Sequence, residues 1–416
     1  MEEIRPLKER RLRTLDITLI WIGAGISIAE IWAGNYLAPA LPLIIAILVN
    51  IIGHIIGNLF MGAVAYAGSR EGVPTMVLSR GAFGIRGSYL ISTLNYLQLI
   101  GWTAVMIIVT AKAIDEVLKF LGAFTNYYLW VVLVGLGSTV WAFVGPKVWK
   151  WLHRISITLL LILAIWMGIV AFQASGPALF TYEPTYEISI AEGIDIVAAM
   201  PISWAPLVAD YGRFVASPMG SFTGTYVGYF IASGLFYAIG SISNAGIGAP
   251  DPISLLAGMG LGAPALFIVI FSSLTTTFLD IYSAAITLKN VWVKAKLSKQ
   301  IIVAGALGTI LALGFPMERY EWFLLWIGAT FFPAFAIIIT DYFFIKGRYV
   351  ADELLEVKGR YWYKGGFNYI ALICWVLGFL IYVGLVYSPA YTYIGATIPT
   401  IAVTALIYYV TAKLTE

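Results

Sequence analysis

Long stretches without a charged residue run through this chain. They cover 120–146, 155–182, 214–250, 252–279 and 365–412, and short clusters of charged residues, glycine and proline separate them. A helix needs about 20 apolar residues to cross a bilayer. Each stretch is therefore long enough for one or two membrane helices, and the pattern predicts an all-α, polytopic membrane protein.

Dividing the chain at its charges and at its glycine and proline residues predicts twelve transmembrane helices, here called spans 1 to 12. Their predicted bounds are 17–38, 43–67, 88–120, 128–146, 155–175, 191–214, 222–245, 262–290, 300–317, 320–346, 368–388 and 391–412. No loop is long enough for a soluble domain, so residues 1–416 are interpreted as a single membrane domain. An even number of spans places both termini on the same side of the membrane.

Composition narrows the class of protein. Of the 416 residues, 60% are hydrophobic and 11% are charged, too few polar groups for a water-facing surface. A soluble enzyme, a disulfide scaffold and a disordered regulator are excluded. The one cysteine, Cys374, and the two histidines, His54 and His153, cannot build a metal cluster. A membrane-embedded enzyme would need such a constellation, so we expect neither an enzyme nor a cofactor.

The distribution of basic residues predicts the orientation. With the N-terminus in the cytoplasm, all but three of the 25 Lys and Arg residues lie on the cytoplasmic side; the exceptions are Lys112, Lys119 and Arg319. Cytoplasmic loops of membrane proteins carry this excess. The sequence therefore predicts a multi-pass protein of the cell membrane with both termini in the cytoplasm.

Spans 1 and 6 carry residues that interrupt helices. Span 1 contains Gly23-Ala-Gly25 and Ser27, and span 6 contains Pro201 and Pro206. Both are expected to be discontinuous, since freed backbone groups in lipid are tolerated where they line a cavity. The alternative is that these residues only kink the two helices.

Interruptions in corresponding spans of two halves are typical of transporters built from inverted repeats. Spans 1 and 6 are five apart, and an odd offset inverts the second half. The predicted repeats are 17–175 (spans 1–5) and 191–346 (spans 6–10), followed by 368–412 (spans 11 and 12).

Ionisable residues deep in a span are candidate functional residues, because a charge there is costly. Glu30 lies near the predicted break of span 1, and Asp280 lies in the middle of span 8. Glu30 could accept hydrogen bonds from an exocyclic amine; the alternative is that it is protonated and bonded to a neighbouring carbonyl.

Span 8 also carries five hydroxyls between Ser272 and Thr277. Ser272, Thr275 and Thr276 share one helical face. Together with carbonyls freed in span 1 they could replace the hydration shell of a sodium ion. Alternatively, each hydroxyl bonds the carbonyl one turn earlier.

Span 3 places an amide and an indole on one face, at Gln98 and Trp102. This pair suits a flat heteroaromatic ligand, with stacking from the ring and hydrogen bonds from the amide. Trp204, in the predicted break of span 6, could supply the opposite face of the sandwich.

Several of these segments together resemble the nucleobase–cation symporter-1 family of purine, cytosine and allantoin permeases. The resemblance covers nearly the whole chain, from Thr14-Leu-Asp-Ile17 to the last span. It rests on Gln98-Leu-Ile-Gly-Trp102, on the segment 203–214 that begins Ser-Trp-Ala-Pro, and on the segment 275–284, Thr-Thr-Thr-Phe-Leu-Asp-Ile-Tyr-Ser-Ala. Within the family, the last of these is similar to the hydroxymethylpyrimidine permeases.

The resemblance implies a LeuT-like 5+5 inverted repeat, with alternating access by rocking of a helix bundle. It implies a substrate site between spans 1, 3, 6 and 8, formed by Trp102, Gln98, Ser203, Trp204, Glu30 and Asp280. It also implies a sodium site between spans 1 and 8, formed by the carbonyls of Ile26, Ala29 and Ser272 and the hydroxyls of Thr275 and Thr276.

Two residues depart from better-known members of that family. Glu30 stands where they have an uncharged residue, and Asp280 is an acid one turn beyond Thr276. Either acid could titrate, so a proton remains an alternative to sodium as the coupling ion.

The predicted function is therefore cation-coupled import of a pyrimidine-type heterocycle, hydroxymethylpyrimidine first. Cytosine or a purine base is the alternative, and a passive channel is a further hypothesis that predicts uptake without ion dependence. The expected partners are the small heterocycle and membrane lipid, without nucleic acid, and the chain is expected to act as a monomer.

Overall fold

The computed structural model describes residues 5–7, 9–144, 146–248, 253, 262–292 and 294–415. Within the helices, the side chains of 144, 146–154, 262–265, 272, 275 and 318 lie outside this description. All regular elements of the described part, apart from two isolated bridges, are helices. The all-α fold class is confirmed.

Each predicted span coincides with a helical segment. Span 1 consists of Thr14–Gly25 and Ile28–Asn35. Spans 2 to 6 are Leu43–Glu71, Gly87–Phe120, Tyr127–Val144, Pro146–Ser175 and Ile190–Gly212. Spans 7 to 12 are Pro218–Ile247, Gly262–Val291, Leu297–Ala312, Tyr320–Ile339 with the π-helical turn Thr340–Ile345, Tyr369–Val386 and Thr397–Thr415.

Short helices connect the spans: Thr75–Leu78 and Arg80–Phe83 before span 3, Gly176–Phe180 after span 5, Met317–Arg319 before span 10, Glu353–Leu355 before span 11 and Tyr391–Ile394 before span 12. In the described part of the chain, nine helices are long and apolar enough to cross a membrane, or ten if the two halves of span 1 form one crossing. Spans 4 and 9 are shorter apolar helices. The count of twelve crossings stays a prediction.

The expected break in span 1 is present. Its two halves meet at an angle of 57°. Ser27 caps the second half, because its Oγ accepts a hydrogen bond from the amide of Ala29 at 3.2 Å. Ile26, between the halves, has left the helical region with φ −84° and ψ 83°.

The prediction that span 6 is broken is wrong. One continuous helix runs over Ile190–Gly212 with Pro201 and Pro206 inside it. Proline removes one amide donor, but its fixed φ is compatible with a helix. Polar contacts reinforce this stretch, since the hydroxyl of Ser203 donates to the carbonyl of Met200 at 2.6 Å.

The described helices pack in two groups. In the first group span 2 packs against spans 6 and 7, and span 7 packs against span 1. Spans 3, 4, 8 and 9 form a second group in which spans 3 and 8 lie along each other. Span 10 contacts span 6 and both final spans. The predicted repeat boundaries stay predictions, but this grouping puts spans 1 and 6 against spans 3 and 8.

Glycines allow the first group to pack closely. A Cβ on Gly34 would lie 2.2 Å from the carbonyl oxygen of Tyr237, and one on Gly57 would lie 2.3 Å from Cγ of Pro201. Small residues permit such approach between membrane helices. Large apolar side chains on the outer faces, such as Val140 and Ile162, are exposed, as expected for a surface that contacts lipid.

Candidate functional site

The central cavity lies between spans 1, 3, 6 and 8. Predicted site residues supply seven of its lining positions: Ala29, Glu30, Trp102, Ser203, Trp204, Thr276 and Asp280. The remaining lining residues are mostly apolar. A mainly apolar pocket with a few polar groups is typical of a small-molecule site.

Glu30 reaches this cavity because of the break in span 1. Ser27 begins the second half, so Glu30 falls in its first turn, where the helix dipole favours a carboxylate. Glu30 is 2% exposed, and both of its oxygens accept hydrogen bonds. Tyr229 donates to Oε1 at 2.6 Å and Ser233 donates to Oε2 at 2.8 Å.

Both donors to Glu30 are held by further hydrogen bonds. The indole Nε1 of Trp204 donates to the hydroxyl of Tyr229 at 2.9 Å. Nε2 of His54 lies 2.6 Å from Oγ of Ser233, and Nδ1 of His54 lies 2.9 Å from the carbonyl of Asn50. The carboxylate of span 1 is thus tied to spans 2, 6 and 7.

The two indoles of the cavity are fixed by different neighbours. Trp204 packs edge to face against Trp21, with ring centroids 5.7 Å apart. Trp102 packs edge to face against Phe323 at 5.2 Å and Tyr320 at 6.0 Å. Both indoles line the same cavity, whereas their stacking on a ligand stays a prediction.

Gln98 lies behind the cavity lining. Its Nε2 donates to the carbonyl of Ser203 at 2.7 Å and to Oδ1 of Asn95 at 2.8 Å. One amide hydrogen of Gln98 therefore links span 3 to span 6, and the other bonds a residue of span 3 itself. The side-chain oxygen Oε1 of Gln98 is buried without a hydrogen-bond partner among the described residues. Oε1 is therefore the one atom of this side chain for which a ligand contact is still predicted.

Asp280 is the second acid in the cavity lining. It is 4% exposed, and its Oδ2 has no hydrogen-bond partner in the described part of the chain. A buried oxygen of this kind is costly unless a ligand or ion contacts it. No Lys, Arg or His side chain lines the central cavity in that same part.

The predicted sodium ligands are partly described. Ala29 and Thr276 line the cavity from spans 1 and 8, and Ile26 lies at the break. The side chains of Ser272 and Thr275 lie outside the described residues. No group of three or more His, Cys, Asp and Glu side chains suits a metal in the described part. The hydroxyls and carbonyls predicted here are instead neutral hard donors, which suit an alkali cation.

Two larger cavities flank the central one at opposite ends of span 3. One is lined by Trp32, Tyr36 and Lys112. The other is lined by Asp210 and Lys289. Leu207 lines both the second of these and the central cavity.

On the other side, Tyr320 packs between Trp102 of the central cavity and Trp32 of the first flanking one. Its ring lies 6.0 Å from that of Trp102 and 6.4 Å from that of Trp32. Tyr320 is fully buried, so these three aromatic rings form a packed cluster between the two cavities.

Tyr229, Ser233 and His54 are not among the residues that the sequence predicts for the site. Tyr229 and Ser233 are four residues apart on span 7, a spacing that places two polar groups on one helical face. His54 is an ionisable residue within a span and was considered only as a metal ligand. The spacing of the two polar residues in span 7 and the position of His54 deep in span 2 are the sequence features that point to these residues.

Residues 5–410 match the family of permeases for cytosine/purines, uracil, thiamine and allantoin, and the chain belongs to this family. It is therefore a membrane transporter rather than an enzyme.

The cytosine permease of Escherichia coli (strain K12) is 25% identical over 343 residues, which are 82% of this chain and 80% of that protein. The hydantoin permease of Microbacterium maritypicum is 23% identical over 390 residues, 88% of this chain and 80% of that protein.

The inward-facing conformation of Mhp1 matches the structure with a TM-score of 0.88 at 21% identity, covering 100% of this chain and 94% of that one. The LeuT-like fold is thereby confirmed.

Proposed function

We propose that this permease imports a pyrimidine-type heterocycle, hydroxymethylpyrimidine first, by cation symport. The observation that carries the proposal is Glu30, a buried acceptor in a cavity that also contains Trp102 and Trp204. Indole rings supply the apolar surface for a flat ring. A carboxylate accepts strong hydrogen bonds from amine donors.

Hydroxymethylpyrimidine fits this acceptor because its amine and its hydroxymethyl group stand on adjacent ring carbons. The two groups offer one donor to each carboxylate oxygen. Cytosine or a purine base is the alternative substrate, favoured by the similarity to a cytosine permease. Each of these bases also carries an amine or a ring N–H from which Glu30 can accept a hydrogen bond.

Sodium is the proposed coupling ion. Ala29 and Thr276 line the central cavity from two different helices, and the break beside Ala29 interrupts the regular hydrogen bonding of span 1. A proton is the alternative, because Glu30 and Asp280 are both acids in this cavity.

Alternating access is supported by the position of the central cavity between two larger ones. Tyr320 stands at one route, while Leu207 stands at the other. Movement of spans 1, 2, 6 and 7 against spans 3 and 8 would exchange the two routes.

The test is uptake of labelled hydroxymethylpyrimidine by proteoliposomes under a sodium gradient, a pH gradient or neither. We expect accumulation with the sodium gradient and at least a tenfold loss of affinity in Glu30→Gln. Glu187→Gln is the matched control, since Glu187 lines the first flanking cavity instead.

Each result of this test has a defined consequence. Accumulation only under a pH gradient would replace sodium by a proton. Uptake that ignores both gradients would indicate a channel. Stronger competition by cytosine or a purine would select the alternative substrate, and unchanged affinity in Glu30→Gln would remove Glu30 from the site.

We also propose that the protein is a monomer in the cell membrane with both termini in the cytoplasm. The one-sided distribution of Lys and Arg described above supports the orientation. Reporter fusions at each terminus that fluoresce or react only in the cytoplasm test the orientation, and activity of a periplasmic reporter at either end would contradict it.

A further inference from the structure

We propose that Tyr229 and Ser233 of span 7 make the site selective for ligands with two adjacent hydrogen-bond donors. The two residues fix the plane of the Glu30 carboxylate and occupy one acceptor position on each oxygen. They are positioning residues, because they act through Glu30. This inference deepens the proposed function and rests on its assignment of Glu30 to the heterocycle.

The hydrogen bonds define the direction of each donor. The oxygen of Tyr229 already accepts from Trp204 at 2.9 Å, so its own hydrogen is directed to Oε1 of Glu30 at 2.6 Å. Oγ of Ser233 is contacted by His54 on one side and donates to Oε2 on the other. Tyr229 is fully buried, and Ser233 and His54 are equally so. The carboxylate therefore has little freedom to rotate.

A carboxylate has about four acceptor positions, two on each oxygen. One position on each oxygen is used by span 7, which leaves one on each for a ligand in the cavity. Two donors side by side fill both positions in a fork geometry. A ligand that brings only one donor leaves one oxygen of Glu30 without a hydrogen bond, or places its own acceptor atom against that oxygen.

This arrangement is expected to discriminate between heterocycles of similar size by their hydrogen-bonding edges. Guanine and isocytosine present a ring N–H beside an exocyclic amine, and hydroxymethylpyrimidine presents an amine beside a hydroxymethyl group. Cytosine places its amine beside a bare ring nitrogen. Uracil and hydantoin alternate N–H groups with carbonyls, so each brings an acceptor beside its donor. A site with fixed polar groups discriminates strongly against such ligands.

Isocytosine and cytosine are the sharpest probes, because they are isomers with the same atoms and differ in this edge. We expect isocytosine to bind the purified protein at least tenfold more tightly than cytosine, measured by calorimetry or by competition with labelled hydroxymethylpyrimidine. Equal binding, or tighter binding of cytosine, would overturn the selectivity for two donors.

The variants Tyr229→Phe and Ser233→Ala test the role of span 7. Each removes one fixed donor while keeping the helix, and we expect the isocytosine-to-cytosine preference to fall at least threefold. Ser233→Thr retains a hydroxyl and should restore it.

Span 7 also offers matched controls. Tyr237→Phe removes a buried hydroxyl that has no hydrogen-bond partner in the described residues. Ser241→Ala removes a hydrogen bond to the carbonyl of Gly34 at 2.9 Å, which touches span 1 away from Glu30. Both controls should keep the preference.

The readout separates a positioning role from a purely structural one. A general weakening of the fold would lower the affinity for both isomers equally, and this result would overturn the role of Tyr229 and Ser233. If wild-type protein binds the two isomers alike but still accumulates hydroxymethylpyrimidine, the inference fails and the proposed function stands. If labelled hydroxymethylpyrimidine is neither bound nor transported, the proposed function itself fails.

Discussion

Spans 1 and 6 carry comparable helix-breaking residues, yet the first is broken and the second is not. Span 1 bends by 57° between Gly25 and Ile28, while span 6 remains helical through Pro201 and Pro206. Both lie beside the central cavity. The difference shows that the presence of helix-breaking residue types is not enough to predict whether a membrane helix breaks.

The two spans also differ in what surrounds them. A Cβ on Gly25 would lie 2.8 Å from the backbone nitrogen of Ser233, so span 7 lies directly against the break. Ser27 then starts a new helix by capping it. Span 6, by contrast, continues as one helix through both prolines, since the fixed φ of proline is compatible with a helix; Gln98 of span 3 also donates to its Ser203 carbonyl.

The largest expected effect comes from Gly34→Val in the second half of span 1. The new Cβ would lie 2.2 Å from the carbonyl of Tyr237, which is backbone and cannot rotate away. We expect a loss of about 3 kcal/mol or more, seen as loss of monodisperse protein in size-exclusion chromatography. Gly137→Val is the control, because nothing lies within 4 Å of its Cβ position. Normal folding of Gly34→Val would contradict the close packing of spans 1 and 7.

Ser27→Ala should have the next largest effect, since it removes the cap that starts the second half of span 1. We expect a loss of about 1 kcal/mol in stability together with weaker substrate binding, measured by thermal melts and uptake. Ser217→Ala is matched to it, because Ser217 caps span 7 through the amide of Gly220 at 3.1 Å. That control should lose stability without losing affinity; an equal loss of affinity in both would mean that the break does not position the site.

Trp204→Phe tests the side of span 6 that faces the cavity. It keeps an aromatic ring but removes the N–H that donates to Tyr229, a hydrogen bond worth about 1 kcal/mol. We expect a fall in substrate affinity of about fivefold in uptake competition, with little change in expression. An unchanged affinity would show that the indole acts through its ring alone.

Pro206→Ala should have the smallest effect on stability. The helix is already continuous at this point, and the restored amide donor offsets the lost ring contacts. We expect a change within about 0.5 kcal/mol in thermal melts. A large loss would indicate that the proline itself maintains span 6.

The sequence selected several residues that the fold brings to one cavity, while their role in binding stays a prediction. Glu30, Asp280, Trp102 and Trp204 were selected as polar or aromatic residues at depth, and all four line the central cavity. Gln98 was predicted on the same grounds, but its side-chain amide N–H donates to the backbone carbonyl of Ser203 instead. Such a partner, 105 residues away in the chain, is not visible in local spacing.

The sequence by itself determined the membrane-spanning architecture, because long apolar segments have few other stable environments. It also indicated where span 1 breaks, since glycines and a serine cap act locally. Only the tertiary structure decided that span 6 stays whole and that Glu30 is held by Tyr229 and Ser233. The donors to Glu30 lie 199 and 203 positions away in the chain, and side-chain partners at that range are set by packing rather than by local propensity.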